Sequence, residues 1–292
     1  MKPAAFDYVR AESVEHAVTA LSAAGGDGKI LAGGQSLVPM MNFRLVKPSV
    51  VVDINAIAGL DAVTLQGDRI VLGALVRHRV TASDRLIASH IPVLHNAMKH
   101  VAHLTVRNRG TFCGSVCHAD PAAEMPMMAL LLNGIVHIAS PQGERTLSAG
   151  DFLVGSLMTA LEPDELVTRI ELETMPDDSG WGFHEYARRH GDYALAAVAT
   201  TLRRSGECAK DVRLAVMGVG EMPCRLPEVE ALLEGSRMDE GVISDAVAAL
   251  RSSVAPNSDL NASSDYRRHL VGALAARALR DAWGRAREGA TS

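Results

Sequence analysis

The chain runs to 292 residues, 48% of them hydrophobic, with a formal net charge of -5 at pH 7 and four cysteines. That is apolar material for one large or two modest cored domains, and a mildly acidic balance without basic runs argues against nucleic acid or an anionic membrane as partner. The opening MKPAAFDYVR lacks a signal core, no apolar run approaches the roughly 20 residues that cross a bilayer, and Cys113, Cys117, Cys208 and Cys224 are too scattered for a disulfide framework, so a cytoplasmic protein with reduced thiols is expected.

In chain order, residues 13–24 read as an amphipathic helix, with Val14, Ala17, Val18 and Leu21 at helical spacing behind Ser13 as N-cap. Gly25-Gly26-Asp27-Gly28 stops it. A short apolar strand over 29–32 then enters Gly33-Gly34-Gln35-Ser36-Leu37, with Pro39 as the breaker behind it. Two adjacent glycines let consecutive N–H groups turn toward one point, a nest able to hold a diphosphate, and Gln35 and Ser36 add donors. A tight turn is the plain alternative. Neither G-x-G-x-x-G nor G-x-x-x-x-G-K-[ST] is present, so the Rossmann and Walker readings lose most of their support.

Residues 50–54 and 69–74 are β-prone, the latter pairing with 60–65 across Gln66-Gly67-Asp68, and together they predict a mixed or antiparallel sheet. Helices are expected over 81–87 and 91–103, the second opened by Pro92. His100 and His103 would share a helix face near His90 and His95, but no Cys or carboxylate completes a tetrahedral set, and no metal site is expected.

The stretch 105–124, TVRNRGTFCGSVCHADPAAE, makes the densest demands. Gly110 and Gly114 permit close approach of backbone to a ligand. Thr111, Ser115, His118, Asp120 and Glu124 add hydroxyl, imidazole and carboxylate groups, an inventory suited to a polyhydroxylated, phosphorylated cofactor. The plain reading is a polar turn and then a helix with Asp120 as N-cap and Pro121 at its first position.

An apolar, methionine-rich helix follows over 124–132, then a hairpin over 134–139 and 143–147 and a strand over 166–173. The breaker-rich run 175–180 is the expected domain boundary, giving domains 1–176, subdivided near 55, and 177–292. Beyond it, strands over 195–203 and 212–219 flank Ser205-Gly206-Glu207, and helices close the chain over 229–233, 243–253 and 266–287.

AGGQSL at 32–37, VRNRGTFCGSVCHADPAAE at 106–124 and RRHGDYALA at 188–196 together resemble the FAD-binding medium subunit of the molybdenum hydroxylases, the family of carbon monoxide dehydrogenase and the flavin domain of xanthine dehydrogenase. The resemblance covers nearly the whole chain from Phe6-Asp7-Tyr8 onward. It implies an α+β fold: a two-lobed FAD-binding domain of the PCMH / vanillyl-alcohol-oxidase-like type, then a smaller α+β C-terminal domain. It implies that the backbone N–H groups of Ala32, Gly33, Gly34, Gln35 and Ser36 wrap the FAD diphosphate, and that Thr111, Cys113, Gly114 and Ser115 do so from a second loop. Glu124 would bind ribityl hydroxyls, Leu166 would lie near the adenine or flavin end, and Tyr193 would cover the isoalloxazine face.

Two departures stand out. This chain reads TFCGS where the family usually has TxGGS, so the Cys113 Cβ is expected to restrict backbone angles and crowd the approach. It also has Phe183-His184-Glu185 where relatives often place a lysine near the flavin, which bears on the flavin potential.

The function implied is electron relay. An iron–sulfur small subunit and a molybdopterin large subunit would be the partners, in a dimer of heterotrimers, with FAD here passing electrons to an external acceptor. Cys113 and Cys117 are isolated from Cys208 and Cys224, so the 2Fe-2S clusters are expected in the partner. Two other readings stay open: a standalone FAD-dependent oxidoreductase with His118 or Asp120 as base, and a flavin-free scaffold hinted at by Cys113 alone.

Overall fold

A computed structural model describes residues 2–287; Met1 and residues 288–292, the outer ends of the two expected domains, lie outside the described residues. The N-terminal lobe carries a three-stranded parallel sheet in the order Asp7–Arg10, Val50–Asp53, Gly28–Leu31. Parallel strands need a crossover, and the helix Val14–Ala23 provides one, burying Ala17, Val18 and Leu21 against this sheet and the next. Ser13 caps it, its hydroxyl accepting from His16 N at 3.1 Å.

The central sheet is five-stranded and antiparallel: Val63–Gln66, Arg69–Gly73, Leu166–Glu173, Ile135–Ser140, Gly143–Ser148. The single mixed or antiparallel sheet expected around residues 50–74 is therefore two sheets. The continuous apolar run Val50-Val51-Val52 is the mark of a parallel strand covered on both sides, and its partner Asp7–Arg10 is too polar to be read as a strand from sequence.

The expected helices at 81–87 and 91–103 are shorter and differently phased. Asp84 breaks the first by capping a new helix, Arg85–His90, its Oδ1 accepting from Leu86 N at 2.8 Å and Ile87 N at 3.2 Å. The second ends as Pro92–Ala97, and Ala102 takes a positive φ of 42°. His100 and His103 thus share no helix face, and among the described residues no group of His, Cys, Asp or Glu is placed to hold a metal.

The C-terminal region is a four-stranded antiparallel sheet, Gly180–Tyr186, Ala196–Ser205, Cys208–Met217, Cys224–Arg225, backed by the helices Pro227–Leu233, Glu240–Ser253 and Ser264–Arg285. Its faces follow the strand period of two: Ala196, Val198, Leu214 and Val216 pack toward these helices, while Ala197, Ala199, Ala215 and Met217 join the core of the preceding region. The long helix can approach because Gly182 has no side chain; a Cβ there would lie 2.1 Å from Ala278 O. No helix among the described residues is long and apolar enough to cross a membrane.

Candidate functional site

Two glycine-bearing loops meet between the parallel and central sheets. The first leaves the Gly28–Leu31 strand, turns at Gly34 (φ 71°) and runs into the helix Leu37–Asn42. Pro39, expected as a breaker, sits in the first turn of that helix, where the missing N–H would be unpaired anyway. None of the backbone N–H groups of Gly33, Gly34, Gln35 or Ser36 donates to a protein acceptor among the described residues, and the Gln35 amide folds back onto Gly33 O at 3.5 Å.

The second loop corrects the sequence reading. The polar stretch expected as a turn is a helix, Phe112–His118, with Thr111 as N-cap and its Oγ1 accepting from Gly114 N at 3.0 Å. Ala119 ends it in the left-handed region at φ 52°. Asp120 then shapes a turn, Oδ1 accepting from Ala122 N at 2.8 Å, and the next helix starts only at Glu124. Asp120 therefore caps a turn, not the helix.

The loops touch through their backbones. A Cβ on Gly33 would fall 2.5 Å from Arg109 O and 2.7 Å from Gly110 Cα, and one on Gly110 would fall 2.7 Å from His78 Cδ2. Only glycine permits this seam. The second loop is also fastened to the segment after the Arg69–Gly73 strand: His78 N donates to Gly110 O at 2.9 Å and Phe112 N to Val76 O at 3.0 Å.

Ala32, Gly33, Gly34, Gln35 and Ser36 lie on one side of the seam and Thr111, Cys113, Gly114 and Ser115 on the other. Two of the expected donors in the second group are already engaged: Gly114 N by the Thr111 hydroxyl and Ser115 N by Thr111 O at 3.1 Å. Thr111 N and Cys113 N have no such partner among the described residues. Cys113 also departs from expectation. Its backbone is helical and its side chain points into the core, the thiol 3.5 Å from Leu72 O and 3.7 Å from Gly73 O, so the Cβ does not crowd the loop face. Burial, then Cys117, push that thiol well above its usual pKa.

Leu166 starts the central strand, its side chain buried, on the sheet against which the helix Phe112–His118 packs. Glu124 opens the helix that follows and is half-buried; burial, with Asp120 adding, raises its pKa to about 7. Close enough to be felt by its charge is Glu185 on the Gly180–Tyr186 strand, raised to about 8 by burial and by Glu124, with Oε2 buried and without a partner among the described residues. Tyr193 is 67% exposed, and partial desolvation, then the charges of Asp120 and Glu124, raise the pKa of its hydroxyl. Its segment is anchored from behind: the buried Arg267 donates to Leu195 O at 2.6 Å and Gly218 O at 3.0 Å, and Gly218 N donates to Pro121 O at 3.0 Å. A cavity of about 240 Å³ opens here, lined by Asp120, Tyr193, Asn257 and Arg267 among others. The sequence reading missed the carboxylate pair because Glu124 and Glu185 are 61 positions apart.

Residues 4–174 match the family model of the FAD binding domain in molybdopterin dehydrogenase, and residues 181–282 that of the CO dehydrogenase flavoprotein C-terminal domain. The chain belongs to the FAD-binding medium subunits of the molybdopterin dehydrogenases. It is 40% identical to the 6-hydroxypseudooxynicotine dehydrogenase complex subunit alpha of Paenarthrobacter nicotinovorans, over 98% of this chain and 97% of that protein. It is likewise 40% identical to the nicotine 6-hydroxylase medium subunit of that organism, over 98% and 100%. The solved carbon monoxide dehydrogenase of Hydrogenophaga pseudoflava that lacks the Mo-pyranopterin moiety of the molybdenum cofactor superposes with a TM-score of 0.96 at 33% identity, covering 98% of this chain and 100% of that one. These matches bear out the α+β fold of an FAD-binding domain followed by a flavoprotein C-terminal domain. They also make this medium subunit part of an oxidoreductase, with molybdenum and iron–sulfur centres belonging to other subunits in such complexes.

Proposed function

We propose that FAD lies across the seam of the two loops, and that the chain takes electrons from the iron–sulfur clusters of a partner subunit and passes them to an external acceptor. The observation that carries the placement is the row of four unengaged N–H groups from Gly33 to Ser36, set where Gly33 meets Arg109 and Gly110. Gly33 is buried while Gly34 to Ser36 are partly or fully open to solvent, and successive free donors around a left-handed glycine suit an anionic oxygen cluster. A diphosphate fits that demand. Thr111 N and Cys113 N extend the cradle from the other side, while Gly114 and Ser115 contribute close packing and the Ser115 hydroxyl.

Ala32 shapes the entry to the first loop. Glu124, beside the second, accepts from or donates to ribityl hydroxyls according to its protonation, and the Glu124–Glu185 pair holds a proton at neutral pH. The Leu166 strand supports the loop from beneath, and the exposed Tyr193 ring shields the isoalloxazine face from water. FAD, when bound, supplies the exchange between one-electron and two-electron carriers. The protein orients it, excludes water and tunes its surroundings.

The assembly we infer is a dimer of heterotrimers in the cytoplasm, with an iron–sulfur small subunit and a molybdopterin large subunit. We retain domains 1–176, subdivided near 55, and 177–292; a separate core between the C-terminal sheet and its helices supports the second, although Ala197, Ala199, Ala215 and Met217 join the core of the first. The test is cofactor extraction and an absorbance spectrum of the chain alone and after co-expression with its neighbouring genes. Flavin in the complex, with iron–sulfur and molybdopterin arriving only with partner chains, is the expected result. Donor turnover by the isolated flavin-loaded chain would point to a standalone oxidoreductase, and no flavin in either preparation to a scaffold.

A further inference from the structure

Two side chains outside both motifs tie the two loops to each other at the seam. Asn55, just past the Val50–Asp53 strand, donates its amide to Ala32 O at 2.9 Å and Leu31 O at 3.3 Å, the last carbonyls before Gly33. Its own N–H is fixed on Asp53 Oδ1 at 2.8 Å. The amide oxygen of Asn55 accepts from one terminal nitrogen of Arg77, and the other terminal nitrogen of Arg77 donates to Arg109 O. Arg109 O is the atom that a Cβ on Gly33 would strike. One planar guanidinium therefore bridges the carbonyl side of the first loop, through Asn55, to the carbonyl side of the second.

The charge of Arg77 is notable. It is half-buried, both of its hydrogen-bond acceptors are neutral oxygens, and no carboxylate lies within ion-pair distance among the described residues. Asp53 and Asp61 act only from farther away, while burial, Arg109 and Arg79 push its pKa down from a value so high that it stays charged. A half-buried cation without a counter-ion is unfavourable in isolation. It is complementary to a dianion at the seam.

We propose that Arg77, clipped by Asn55, is a positioning residue for the cofactor diphosphate: it locks the two glycine loops in one register and brings to the seam a positive charge that no carboxylate among the described residues pairs with directly. The inference rests on the placement of FAD at the loops. Lysine cannot replace it, because a point charge on a flexible stem does not span two acceptors in a fixed fork.

The experiment titrates the full-length apo chain with FAD at low and high salt and records its melting without flavin, for wild type, Arg77→Lys, Arg77→Gln and Asn55→Ala. Arg77→Gln is expected to weaken FAD about 100-fold and flatten the salt dependence of binding. Arg77→Lys should keep that salt dependence yet bind about tenfold more weakly, and Asn55→Ala should do the same while the apo melting stays close to wild type. A merely structural arginine would move the melting and leave the salt dependence alone. Arg77→Gln binding FAD within threefold of wild type with the same salt dependence would overturn the proposal; should that variant not fold, unchanged affinity in Asn55→Ala overturns it. Wild type that binds no FAD under any condition refutes the placement of the cofactor, and the clip with it.

Discussion

Replacing Gly33 by alanine isolates the seam in one methyl group. The new Cβ would sit 2.5 Å from Arg109 O, 2.7 Å from Gly110 Cα and 3.0 Å from Arg109 C, all backbone atoms. Van der Waals contact requires the loops to part by about 1 Å, and no rotamer change relieves it, because Arg109 O is tied to Arg77 and Gly110 O to His78 N. Overpacking of this kind costs about 1–3 kcal/mol of stability. Binding should suffer as much: a shift of about 1 Å lengthens hydrogen bonds to an anion worth about 1.5–3 kcal/mol each, and losing one weakens FAD roughly 10- to 100-fold. Flavin content by absorbance, FAD titration and thermal melting read both effects. Gly25→Ala is the control. Its φ is 60° with nothing within 4 Å of a Cβ, so it should cost about 1 kcal/mol through backbone strain alone and leave flavin binding intact. Wild-type flavin occupancy and affinity in Gly33→Ala would refute the seam as the binding element.

The carboxylate pair sets a pH dependence. Because the folded-state pKa values of Glu124 and Glu185 are raised to about 7 and about 8, the folded protein binds more protons than the unfolded chain above the ordinary glutamate range, and stability falls as pH rises from about 4.3 through about 8. The slope is about 1.4 kcal/mol per pH unit for each extra proton held, so melting between pH 6 and 9 should drop and Glu185→Gln should flatten the drop; an unchanged slope contradicts the pairing. Gly182→Ala puts a Cβ 2.1 Å from Ala278 O and should destabilise the protein by about 3 kcal/mol, at the upper end for overpacking, in a denaturant melt; a loss under about 1 kcal/mol contradicts the close helix packing. Cys113→Gly, which restores the family pattern, should cost a few tenths of a kcal/mol in helix propensity plus about 1 kcal/mol or more for the emptied core position, and leave FAD affinity within about threefold, since the native side chain faces the core; a large gain in affinity would show that the Cβ does obstruct the site.

Local signals carried most of the fold. The Ser13 cap and the hairpin at Ser140 to Gly143 emerge where residue pattern predicts them, because each is stabilised by neighbours in sequence, and the central strand Leu166–Glu173 is marked by its own apolar pattern although its partners lie at Arg69–Gly73 and Ile135–Ser140. The parallel strand Asp7–Arg10 was illegible, since DYVR is short, mostly polar and exposed, and carries no apolar pattern to mark its pairing with Val50–Asp53. The helix Phe112–His118 was hidden by Gly114 and Ser115, residues of low or middling helix propensity, and only the Thr111 cap explains it. The glycine loops were visible as motifs. What sets them against each other was not: Asn55 and Arg77 belong to neither motif, and Glu185 meets Glu124 only through the packing of the C-terminal sheet against the preceding core.

The most direct test of the central proposal is a structure of this subunit, loaded with FAD and assembled with its partners. The account predicts diphosphate oxygens within about 2.7–3.2 Å of the N–H groups of Gly33, Gly34, Gln35 and Ser36, with Arg77 still bridging Asn55 and Arg109 O. FAD bound elsewhere, or a diphosphate held by side chains alone with those N–H groups turned to solvent, would contradict it.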